Sequence, residues 1–126
     1  MDHLPPLVIV PLRKTHVLDK LQFTYVVNNL LQLQPTDNLY ISFMSNGFSE
    51  FGDLVALSSE ETDNLSYPDP DPEGVLPIPV VRGLTNRLKI LIAMYLKWSY
   101  VHGQDINIET VTLPDFYNFR TREYNP

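Results

Sequence analysis

Apolar and polar positions along this chain change period several times, and the changes divide it into segments. Residues 15–34 (THVLDKLQFTYVVNNLLQLQ) place Leu18, Leu21 and Tyr25 at helical spacing, with Leu30, Leu31 and Leu33 widening the apolar surface. Thr15 is suited to the N-cap, Asp19 favours the positive helix end, and Pro35 marks the stop. A second helix is expected over 79–102, with Pro79 in its first turn and Gly103 just past its end. That helix carries two apolar stripes. Val81, Leu84, Leu88, Leu91, Ile92 and Tyr95 form one; Ile90, Met94, Trp98 and Val101 form the other. One stripe would pack the domain and leave the other for a subunit contact.

Between these helices the period falls to two. Leu39-Tyr40-Ile41-Ser42-Phe43-Met44-Ser45 alternates and runs into Asn46-Gly47, a dipeptide suited to a type I′ turn. A β-hairpin is therefore expected over about 39–57, with Phe48–Leu57 returning and Gly52 at a bulge. Together these segments predict a single α+β domain over 1–126: two principal helices, a hairpin, and extended N- and C-terminal arms.

The eleven prolines reinforce that division, clustering at 5–11, at 68–79 and near the C-terminus. Residues 1–12 (MDHLPPLVIVPL) read as an extended arm, either reaching a neighbouring subunit or forming an edge strand of its own domain. Residues 58–74 (SSEETDNLSYPDPDPEG) read as a solvated acidic loop. The tail 104–126 holds Phe116, Tyr117, Phe119, Arg120 and Tyr124, residue types enriched at interface centres. It reads as a docking segment, with wrapping of its own domain as the alternative.

Charge sharpens the picture. No lysine or arginine occurs from Leu21 to Val81, a stretch that contains nine of the fifteen acidic residues, Asp69, Asp71 and Glu73 among them. Such a division concerns partners, because opposite charges pair across interfaces and like charges repel. The net charge of −6 argues against a phosphate-gripping protein. With no cysteine there are neither disulfides nor thiolate metal sites, which favours a reducing compartment or a virion. The longest uninterrupted apolar run, Ile90–Leu96, is seven residues. About 20 are needed to span a bilayer, so the expectation is a soluble, unprocessed protein with no membrane partner.

Catalytic and metal signatures are not found. His3, His16 and His102 form no i, i+4 pair. Asp69-Pro70-Asp71-Pro72-Glu73-Gly74 imitates the start of a calcium loop, but Val80 stands where a bidentate glutamate would be required. No glycine-rich phosphate cradle or nucleophile elbow occurs. The expectation is a protein without enzymatic activity, cofactor or metal.

The segment Leu76-Pro77-Ile78-Pro79-Val80-Val81-Arg82-Gly83-Leu84, continuing through Leu88, Leu91-Ile92-Ala93 and Tyr95-Leu96, resembles the head-to-tail adaptor proteins of tailed bacteriophages. The resemblance covers mainly residues 75–126, with 15–34 alike only in type; the hairpin expected over 39–57 departs from the longer helical bundle common in that family. It implies a connector subunit forming a homo-oligomeric ring in the virion neck. Such a ring would dock on the portal or a tail neck protein and let DNA pass with only transient, non-specific contact. On that reading Ile90, Met94, Trp98 and Val101 meet the next subunit, and Phe116, Tyr117, Phe119, Arg120 and Tyr124 dock on the partner. The alternative is a small acidic adaptor or inhibitor that presents Asp69, Asp71 and Glu73 to a basic partner protein, in the cytoplasm if the protein is not viral.

Overall fold

A computed structural model describes residues 15–124. The extended arm expected over residues 1–12 lies outside these described residues. Thr15 caps helix α1 (His16–Tyr25), its hydroxyl accepting from the Leu18 amide at 3.1 Å. The helix then changes register. Val26–Leu30 form a π-helical turn in which the Leu31 amide reaches Val26 O at 2.8 Å, and Gln32 ends it at φ +53°. The expected helix thus stops short of Pro35, at β-branched Val26-Val27 followed by Asn28-Asn29, all weak helix formers. Arg87 reaches in and donates to the Leu31 carbonyl at 3.0 Å, satisfying one of the freed acceptors.

The expected hairpin over 39–57 is absent; the segment is helical. Asn38–Ser45 form α2 and Phe51–Val55 form α3. Leu39, Ser42 and Phe43 turn inward together at the helical spacing i, i+3, i+4, of which the alternating pattern shares only the Leu39–Phe43 pair. Asn46-Gly47 ends α2 rather than turning a ribbon. Gly47 takes φ +74°, its amide bonds Met44 O at 3.2 Å, and the Phe48 amide bonds Phe43 O at 2.8 Å. Those two bonds make a Schellman cap. Helix α3 is capped by Glu50 and Asp53 and tied to α1 by the Gly52 amide, which donates to Asp19 Oδ1 at 3.1 Å.

The acidic segment expected as loop over 58–74 is partly regular. Ser58 and Glu61 form a reciprocal capping box that starts α4 (Ser59–Asp63). Among the described residues the sheet content is one antiparallel ribbon, β1 (Ser66–Tyr67) with β2 (Ile78–Pro79), in register Ser66 to Pro79 and Tyr67 to Ile78. Pro79 therefore sits in a strand, and the long helix α5 (Arg82–His102) begins after Val81. Its end follows expectation: Gly103 closes it at φ +74°.

Helix α5 is the axis of the domain, and both of its apolar stripes are used. Leu88, Leu91, Ile92 and Tyr95 are buried, and so are Ile90, Met94 and Trp98. The cover for the second stripe comes from the C-terminal segment, which is not an extended docking tail. A 3-10 turn at Ile108–Thr110 leads to helix α6 (Leu113–Arg122), opened by a Thr112–Asp115 capping box. Phe116 and Phe119 face inward, and the Phe119 ring meets Trp98 edge-on at 5.8 Å. Lys97 and Glu123 close this contact with an ion pair at 2.6 Å. Among the described residues the architecture is mostly helical, six α-helices with one small ribbon, broadly α+β.

Candidate interaction surface

Five of the nine residues expected at protein interfaces serve the chain's own core. Trp98 is 1% exposed, Phe116 is fully buried, and Ile90, Met94 and Phe119 are buried with them. Aromatic rings spaced i, i+3 on a short helix read as interface anchors in composition, but here they form the inner face of α6. Val101, Tyr117 and Arg120 face outward, and Tyr124 is half-buried against the core.

The acidic residues stand in a different setting. Between β1 and β2 the chain makes a loop, residues 68–77, and its carboxylates shape it. Asp69 Oδ1 accepts from the Asp71 amide at 2.9 Å, and Asp71 Oδ1 accepts from the Glu73 amide at 3.0 Å. These consecutive Asx turns, with prolines between them, hold the loop in a defined bend. Gly74 completes it, since a Cβ there would lie 2.2 Å from Asp69 Oδ2. The base is pinned to α2, where Ser42 Oγ donates to Ser66 O at 2.7 Å and Asn46 Nδ2 donates to Ser42 O at 2.8 Å. Among the described residues no group of three His, Asp or Glu side chains is disposed to hold a metal ion.

Directly after the acidic run come the two least covered apolar residues of the region. Val75 is 93% exposed and Leu76 79%. Pattern reading passed over this pair; the available signal was an apolar dipeptide held between Gly74 and Pro77, with no helical or strand partner positions around it. Behind the loop lies an open hollow of about 420 Å³ lined by Ser45, Asn46, Tyr67, Asp69, Val75 and Leu76, among others. Asp71 and Glu73 are exposed and Asp69 half-buried. The loop therefore presents two exposed carboxylates and two apolar side chains on a bend of defined shape.

Across α4, α5 and the end of α6 the surface has the complementary character. A mainly apolar groove of about 340 Å³ runs between Leu57, Ile92, Ala93 and Leu96. A second hollow of about 320 Å³ is lined by Asn86, Lys89, Ile90, Arg120 and Tyr124. The two share Lys89 and Tyr124 and so are neighbours. Lys89 is paired with Asp63 at 3.0 Å; Arg120 forms no ion pair among the described residues.

Perturbed ionisation occurs away from these surfaces. Burial pushes the Tyr95 phenol up to about 12, helped by the nearby Asp105 carboxylate. Burial also raises Tyr25, whose hydroxyl donates to the Val111 carbonyl, and Asp115 and Glu109 add to the effect. The backbone and side-chain hydrogen bonds from Ser58 lower Glu61, as its capping role requires. Tyr25, Glu61 and Tyr95 line none of the three hollows described above. No helix among the described residues is long and apolar enough to cross a membrane. Comparison with protein-family models, with curated proteins and with solved structures returned no match.

Proposed function

We propose that this chain is a non-enzymatic protein-binding module, a small acidic adaptor or inhibitor whose loop 68–77 engages a basic partner protein. The observation that carries this reading is the exposure of Val75 and Leu76 beside Asp71 and Glu73, on a fold that buries most of both stripes of its longest helix. Apolar side chains supply contact area on docking, and carboxylates steer a cationic surface toward them. The test compares immobilised wild-type chain with the variants Asp71→Asn/Glu73→Gln and Val75→Ser/Leu76→Ser. Retained basic proteins, identified by mass spectrometry, should be depleted on both variants and at raised salt. Identical sets on all three surfaces would overturn the reading.

A second reading, the ring-forming connector of a tailed-phage neck, is supported by a separate surface. Leu96 and Tyr100, one helical turn apart on α5, remain exposed, as do Val101 on α5 and Tyr117 on α6. A ring subunit would meet its neighbours and a portal through these residues rather than through the buried Trp98 and Phe116. In that setting the acidic loop would keep DNA phosphates moving by repulsion. Light scattering decides it: a closed ring has one discrete high mass that Tyr100→Glu abolishes, and a mass independent of that substitution removes the support.

A further inference from the structure

The acidic–apolar loop and the groove beside Arg120 lie on one chain, and Val75, Leu76 and Arg120 stay exposed on it. We infer that the occupant of the groove is the loop 71–76 of a second copy, so that copies join head to tail. The inference rests on the loop being the recognition element and adds that its partner surface is carried by every copy.

The chemistry matches in sign and in order. In the loop, the carboxylates of Asp71 and Glu73 are followed by Val75 and Leu76. Along α5 the hollow at Asn86 and Lys89, which Arg120 also lines, adjoins the apolar groove at Ala93 and Leu96. Arg120 would receive the carboxylates, being exposed and without an ion-pair partner among the described residues. Leu57, Ile92 and Leu96 would receive Val75 and Leu76. The chain's own loop does not fill the groove, because Val75 and Leu76 stand open to solvent in the isolated copy.

A contact in which one surface of a copy meets a different surface of the next is heterologous and propagates, closing into a ring or continuing as a filament. The area is that of a short loop, so the association is weak, concentration-dependent and salt-sensitive.

Sedimentation velocity of the full chain from roughly 10 to 500 μM at about 50 mM salt reads this directly. Wild type should gain mass with concentration. Arg120→Glu, Leu96→Ser on the groove rim, and Asp71→Arg/Glu73→Arg on the loop should each weaken self-association about tenfold or more, with Trp98 emission unchanged to show an intact fold. Mixing Arg120→Glu with Asp71→Arg/Glu73→Arg restores opposite charge at both contacts, native loop on native groove and reversed loop on reversed groove, so association should return in the mixture. A wild type that stays monomeric throughout, an Arg120→Glu chain that associates normally, or a mixture that does not associate would overturn the inference. Loop variants that still lose captured basic proteins in such a case would leave the adaptor reading standing, and loop variants without effect in either assay would remove both.

Discussion

Tyr95 shows how a core position in this fold becomes a measurable dependence on pH. Its ring packs edge-on against Phe51 at 4.9 Å, and burial together with the charge of Asp105 raises its phenol to about 12. A hydrogen bond from Ser99 offsets part of that rise. An unfolded tyrosine ionises near 10. Below pH 10 both states are neutral and the full contribution of the buried phenol is present. Between pH 10 and about 12 the unfolded chain ionises while the folded one still holds its proton, so stability is lost as pH rises. Urea midpoints of wild type and Tyr95→Phe, measured from pH 9 to 12, should therefore converge or cross, because the phenylalanine chain lacks this loss. Parallel curves would show that Tyr95 is accessible to ionise in the fold.

At the scale of elements, the instructive position is Gly47. Leu39, Tyr40, Ile41, Ser42 and Phe43 fit a strand of alternating faces and a helix that buries Leu39, Ser42 and Phe43 equally well, and Asn-Gly fits both a ribbon turn and a helix end. Local pattern is degenerate there, and tertiary contacts resolve it: Phe43 meets Phe23 and Phe48 at 5.8 and 5.7 Å, which requires the helical arrangement. Where capping chemistry carried the signal, at Thr15 and Gly103, the element ends were legible. The Gly47 conformation also makes a prediction. Nothing lies within 4 Å of a Cβ placed there, so Gly47→Ala meets no clash and only the left-handed backbone is penalised. The expected destabilisation is about 1 kcal/mol, with Gly47→Asn milder, read from chemical denaturation. A neutral alanine would mean that Asn46-Gly47 does not close α2 in solution.

At the scale of the whole molecule, the second apolar stripe of α5 was visible in the chain while its cover was not. Pattern identifies a surface that must be buried but does not say which segment buries it, and aromatic residues with arginine describe an interface helix and a returning core helix alike. Trp98, Phe116 and Phe119 settle that choice for the C-terminal segment, which belongs to the fold. The acidic loop was legible from charge alone; the adjoining Val75 and Leu76 were not, because exposure is decided by what fails to pack against them. The consequence for stability is large. Ending the chain after Gln104 removes Ile106, Ile108, Val111, Phe116 and Phe119, five buried apolar side chains. At about 1.5–3 kcal/mol each, the gross loss matches the whole net stability of a domain, about 5–15 kcal/mol, and the released chain entropy offsets only part. The shortened protein should lose its cooperative guanidinium transition, and Trp98 emission should shift to the red as water reaches the indole. A segment that merely docks on a partner would leave the transition midpoint and the emission where they were, so retention of both after truncation would return residues 105–124 to the role of a detachable arm.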